Sequence, residues 1–290
     1  MAFESLASIV ELCEKEGKSF AEVIKTADCK RNGKCAEIEN KIMLSMWKAM
    51  LKAADSYDAS LYSSSRLTGG DGGKFERYAA NSKPICGDFS AKVIAAALQM
   101  AESNACMKRI VAAPTAGSCG VLPAVLVPLY REGTYTEEQI VDALFVSAGI
   151  GQVIANRASI AGAEGGCQAE IGAASAMAAG TLVYLKGGSP LQICAAAGFA
   201  LQNLMGLVCD PVAGLVEVPC VKRNVIGALN ACSCADMALA GIIPRIPVDE
   251  VIDAMKEVGD KMDVSLKETG RGGLAATATG KRISEELAFR

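Results

Sequence analysis

Three cysteines are placed where they could do chemistry. Cys167 closes the run AGAEGGC, Cys209 opens CDPVAG, and Cys220 follows Pro219. Each lies in or beside a loop rich in Gly or Pro. An apolar run follows Cys167, which sets that thiol at the start of a helix. Helix N-termini favour thiolate, because free N–H groups and the dipole stabilise the anion. Thiolate is the form that binds metal, and a complete iron–sulfur cluster normally takes four. Three would leave one iron open, as catalytic zinc sites leave one position for water or substrate. No compact CxxC is present, so spacing alone leaves buried core thiols and a catalytic thiol as alternatives.

The other cysteines invite plainer readings. Cys13, Cys106 and Cys194 fall on apolar helical faces and suit a core. Cys29 and Cys35 flank a polar turn. Cys119 adjoins a glycine loop, where packing is favoured over a site role. Cys232 and Cys234 straddle Ser233 within a helix, so their side chains point apart.

The chain has no histidine. That removes Ser-His and Cys-His nucleophile pairs, His-ligated zinc and the usual general base near neutral pH. Proton transfer must fall to Lys, Asp, Glu, Cys or Ser, or to another chain.

Five stretches rich in Gly, Ser, Thr or Pro surround these residues: Ser63 to Lys74, Ala113 to Gly120, Ala161 to Cys167, Cys209 to Asn224 and Glu268 to Lys281. None fits a nucleotide motif. GGDGGKF has Phe75 and ATATGKR has Arg282 where a P-loop needs Ser or Thr, and no GxGxxG follows a strand pattern. The alternative is capture of a small carboxylate by loop amides and hydroxyls, among them Ser64, Ser65, Thr68, Thr115 and Ser118. Lys222, Arg223 and Arg271 supply positive charge in or near such loops.

Apolar residues at three- and four-residue spacing predict the helices that must hold these loops. They cover Phe3–Glu16, Ile38–Asp55, Ala91–Glu102 capped by Asp88, Ile140–Ile150 opened by Thr136, Ala169–Leu185, Pro190–Met205, Val225–Ala240 and Asp249–Met262. Two-residue alternation is nearly absent, so the fold class is all-α. The 290 residues suit one large domain or two small ones, here an N-terminal helical segment over 1–62 and a main unit over 63–290 that together form one compact body. A net charge of −3 without a long basic run excludes nucleic acid as the natural partner. The first twenty residues carry Glu4, Glu11, Glu14 and Glu16, unlike a signal peptide, and the longest apolar stretches are short and contain Gly. A soluble cytoplasmic chain, with no membrane contact, is expected.

Taken together, LTGGD (Leu67 to Asp71), APTAGSCGVLPAVL (Ala113 to Leu126), EGGCQAEIGAASAMAAG (Glu164 to Gly180), GLVCDPVAGLVEVPCVKRN (Gly206 to Asn224) and ETGRGGLAATATGK (Glu268 to Lys281) resemble the alpha chain of the iron–sulfur-dependent L-serine dehydratases. The resemblance runs from about Ser63 onward and is weaker before it. It implies a [4Fe–4S] cluster held at Cys167, Cys209 and Cys220, L-serine as substrate, and a separate beta chain that carries a Ser/His-rich motif and is fused at the N-terminus in single-chain members. The substrate contacts it suggests are Thr68, Gly69, Gly70, Thr115, Ser118 and Asn224. The expected reaction is dehydration to pyruvate and ammonia, with an open iron polarising the departing hydroxyl. Lys222, if burial or neighbouring charge lowers its pKa, Asp71, or a beta-chain histidine is the expected base. Cysteine β-elimination, a non-catalytic iron–sulfur subunit and an all-α binding protein with inert thiols are the alternatives.

Overall fold

Hydroxyl side chains start the helices. Ser5 opens α1 (Leu6–Glu16) by accepting the Ser8 N–H at 3.0 Å. Ser19 with Glu22, Thr136 with Gln139 and Ser189 with Gln192 form reciprocal capping boxes at α2 (Phe20–Asn32), α7 (Glu137–Arg157) and α10 (Pro190–Leu204). The computed structural model describes residues 3–289, and within them the chain is all-α, with no strand. The remaining helices are α3 (Ala36–Asp55), α4 (Asp71–Asn81), α5 (Gly87–Ala105), α6 (Val121–Arg131), α8 (Gly162–Gly165), α9 (Ala173–Leu185), α11 (Cys220–Leu239), α12 (Val248–Lys261) and α13 (Ala278–Ala288). A π-helical turn, Gln168–Gly172, leads into α9.

Helix α9 is the centre. Everything from Ala173 to Val183 is buried, so it carries no polar face. Helices α7, α10 and α11 surround it. Small residues permit the close approach: a Cβ at Gly180 would run into Ile150 Cδ1 and lie 3.2 Å from Ile193 Cγ2. Buried hydroxyls there find partners, Ser175 Oγ on Gly227 O at 2.8 Å and Thr181 Oγ1 on Met177 O at 2.7 Å. By length and composition α7 could cross a bilayer, yet two-thirds of its most apolar window is packed inside the protein, as in a core helix.

The N-terminal helices share this core. Phe3, Leu6, Ile24 and Trp47 belong to the same apolar cluster as α7, α9 and α10. Asp249, in the first turn of α12, accepts the Leu6 and Ala7 N–H groups at 2.8 and 3.0 Å.

Several boundaries differ from expectation. Asp88 does not cap a helix at Ala91; α5 begins at Gly87 and Asp88 lies in its first turn. Helix α11 begins at Cys220, five residues before the predicted Val225, which puts that thiol at a helix N-terminus. Helices α2, α4, α6 and α13 were not predicted.

Candidate active site

The segment Cys209 to Asn224 is the hub on which the other four loops converge. The Cys209 N–H donates to Leu266 O and its carbonyl accepts from the Glu268 N–H, both at 2.8 Å, so Cys209 is clamped to the segment before α13. Asp210 accepts Arg223 Nη2 and the Leu274 N–H, both at 2.8 Å. Glu217 accepts the Ser63 and Ser65 hydroxyls at 2.6 and 2.8 Å, anchoring the first loop. Asn224 accepts the Gly120 N–H at 2.8 Å and donates to Gly117 O at 2.8 Å and Cys220 O at 3.0 Å, anchoring the second. Gln168 joins the third: its N–H donates to Leu207 O at 2.9 Å and its Oε1 accepts the Gly206 N–H at 2.8 Å.

This network buries the three thiols, at 2, 3 and 9% exposure for Cys167, Cys209 and Cys220. Burial pushes the Cys167 thiol up to about 11, against the Arg223 guanidinium beside it. Burial and then the Cys167 charge push Cys220 up to about 12. Cys209 is raised by burial and then by Cys167. The thiols therefore interact, and a bound cation would have to displace their protons. Arg223 is fixed beside them by Val208 O at 2.7 Å and Asp210.

Among the described residues no three His, Cys, Asp or Glu side chains converge tightly enough to grip one ion. A cluster asks for something wider, since each cysteine takes a different iron. The donor set suits one: three buried thiols on two converging loops, one cation to temper their charge, and a glycine, Gly162, packed close against Cys209. A Cβ there would sit 3.0 Å from Cys209 Sγ and 2.9 Å from Glu170 Oε2.

The predicted contacts divide. Thr68 is buried, and among the described residues its hydroxyl has no hydrogen-bond partner, as is also true of the Ser103 and Ser147 hydroxyls. Gly69 and Gly70 follow in positive-φ backbone that holds the turn against Tyr62 and Ala59. The next amides are already used: Asp71 and Gly72 N–H donate to Glu102 at 2.7 and 3.1 Å, and Gly73 N–H to the Tyr57 hydroxyl at 3.0 Å. A buried carboxylate of the chain itself thus fills the N-terminus of α4. Thr115 and Ser118 pair with each other at 3.0 Å beside Gly117. Asn224, expected at the substrate, has its amide engaged by three backbone groups and ties loops together instead.

The expected bases fare worse. Lys222 is not buried; its side chain is 61% exposed and pairs with Asp71 at 3.1 Å. The Lys74 ammonium, with Lys222 beside it, holds the Asp71 carboxyl below the usual range, which weakens it as a proton acceptor.

Glu170 was missed. It lies on the π-helical turn three residues after Cys167, and burial pushes its carboxyl up, opposed by the Thr115 hydroxyl. It is the one charged residue between Gly165 and Leu185, and a lone acid in an apolar run is the signal that marks it. A cavity of about 560 Å³ lies elsewhere, in an apolar groove lined by α4, α5 and α6. It holds none of these residues, and the loop chemistry is the better guide to the site.

An all-helical frame with loops gathered round buried thiols defines a helical protein with a cysteine-lined site. The chain belongs to the family described as "Serine dehydratase alpha chain", which it matches over residues 15–275. It is 52% identical over 221 residues to the "Probable L-serine dehydratase, alpha chain" of Bacillus subtilis (strain 168), covering 76% of this chain and 74% of that one. It is 42% identical over 280 residues to the "L-serine dehydratase, alpha chain" of Peptoniphilus asaccharolyticus, covering 96% of each. The "L-serine dehydratase" of Helicobacter pylori (strain ATCC 700392 / 26695) is 37% identical over 288 residues, 95% of this chain but 62% of that longer one.

Proposed function

We propose that this chain is the alpha subunit of an iron–sulfur L-serine dehydratase, removing water from L-serine to yield pyruvate and ammonia. The observation that carries this reading is the burial of three thiols on two converging loops, Cys167 on one and Cys209 and Cys220 on the other, with Arg223 beside them. Cys167, Cys209 and Cys220 would hold a [4Fe–4S] cluster. Such a cluster supplies a Lewis-acidic iron that stabilises a departing hydroxide.

The chain's own residues bind and orient. The unpartnered Thr68 hydroxyl, next to the turn at Gly69 and Gly70, takes the substrate carboxylate. Thr115 and Ser118 line the opposite loop. Loss of the α-proton and the β-hydroxyl removes water and leaves an enamine, which hydrolyses to pyruvate and ammonia. The α-proton needs an acceptor, and Lys222 and Asp71 neutralise each other at the surface. The acceptor is therefore assigned to a histidine of a beta chain.

The test is anaerobic reconstitution with iron and sulfide. Iron and sulfide should bind, and the Cys167→Ala, Cys209→Ala and Cys220→Ala variants should lose the broad visible absorbance while Cys194→Ala keeps it. A fully loaded Cys209→Ala protein would remove that cysteine from the ligand set.

A further inference from the structure

Three buried carboxylates in or beside the converging loops are satisfied. Asp210 pairs with Arg223 and caps Leu274. Glu217 accepts two serine hydroxyls. Glu102 accepts two amides and the Tyr57 hydroxyl at 2.6 Å. Glu170 has neither an ion pair nor a backbone donor among the described residues; the Thr115 hydroxyl meets it, and Glu268 lies near enough to oppose its charge.

Its position is built rather than incidental. A Cβ at Gly117 would lie 3.3 and 3.4 Å from its two oxygens, and one at Gly162 would lie 2.9 Å from Oε2. Glycine at both places lets the backbones of two loops close against the carboxylate, with Cys209 Sγ beside one of them. A half-buried carboxylate is costly unless a cation or donors meet it. Arg223 cannot serve, since Val208 O and Asp210 hold it.

We propose that the Glu170 carboxylate receives the α-ammonium of the amino-acid substrate and so selects amino acids over hydroxy acids of the same shape. The assignment rests on the serine reading of the site and deepens it. Thr68 on the first loop and Glu170 on the third then hold opposite ends of the substrate's α-carbon, the carboxylate and the ammonium.

The experiment is equilibrium binding of two ligands to the full chain, anaerobically reconstituted, by titration calorimetry. One is L-serine. The other is 3-hydroxypropionate, which keeps the carboxylate and hydroxyl and lacks the ammonium. Glu170→Gln should weaken serine by roughly 10- to 100-fold, the loss of one charge-assisted hydrogen bond. It should leave 3-hydroxypropionate unchanged. Glu170→Asp, which keeps the charge on a shorter arm, should fall between. Iron content and thermal midpoint, matched to the unaltered protein, exclude a folding effect. Serine affinity that survives Glu170→Gln would overturn the assignment, as would equal weakening of both ligands. No binding of serine to the unaltered chain would instead sink the serine reading, and this assignment with it.

Discussion

Arg223 shows how one side chain serves several ends. Its guanidinium donates to Val208 O and Asp210, and it lies beside Cys167. A lysine could not reproduce that fork. The surrounding thiols are high-pKa and buried, so in the metal-free protein they should react slowly with alkylating reagents. Cys35 and Cys86 are exposed, and mass mapping after iodoacetamide treatment should find them modified first. Early labelling of Cys209 would mean that the loops open in solution. The thiols were legible because the glycines and prolines around them are local signals. Glu102, Glu217 and the loop-tying role of Asn224 were not, because partners such as Asp71, Ser63 and Gly120 lie 31, 154 and 104 residues away and nothing in a short window announces them.

At the scale of elements, the all-α class and the long helices follow from periodicity and capping residues, as at Thr136 and Ser189. The helices that escaped notice carry residues that argue against helix. Helix α4 begins DGGK, and its N-terminus is capped by Glu102 from α5 rather than by a neighbour in sequence. Helix α6 holds Pro123 and Pro128, and burial of nearly every side chain outweighs the hydrogen bond that Pro128 omits. Tertiary packing decided both. Packing also decides the sign of a helix-favouring mutation at Gly180. Ala would gain about 1 kcal/mol of helix propensity, but its methyl meets Ile150 and Ile193 in the core. Overpacking there should cost about 1–3 kcal/mol. The expected net result is a lower thermal midpoint for Gly180→Ala; a higher one would show that α7 and α10 can move apart freely.

For the whole molecule, the proposed chemistry of this chain lacks the side chain that ordinarily titrates near neutrality, since the sequence has no histidine. The reconstituted alpha chain should therefore take up iron and sulfide yet release pyruvate from serine very slowly. Addition of a beta chain should restore release. Full turnover by the alpha chain alone would place the acceptor among its own residues and refute the two-chain scheme.

The clamp on Cys209 has a consequence for the order of synthesis. Its two backbone hydrogen bonds go to Leu266 and Glu268, and its neighbour Asp210 caps Leu274. A ribosome makes all three cysteines well before it makes those partners. During that interval Cys167 and Cys220 can be set by α9 and α11, but the thiol between them in sequence hangs on an unfinished loop. A metal cluster of the kind proposed, arriving early, would meet two fixed sulfurs and one wandering one, so its loading would belong after the last fifth of the chain has been translated and laid across the hub.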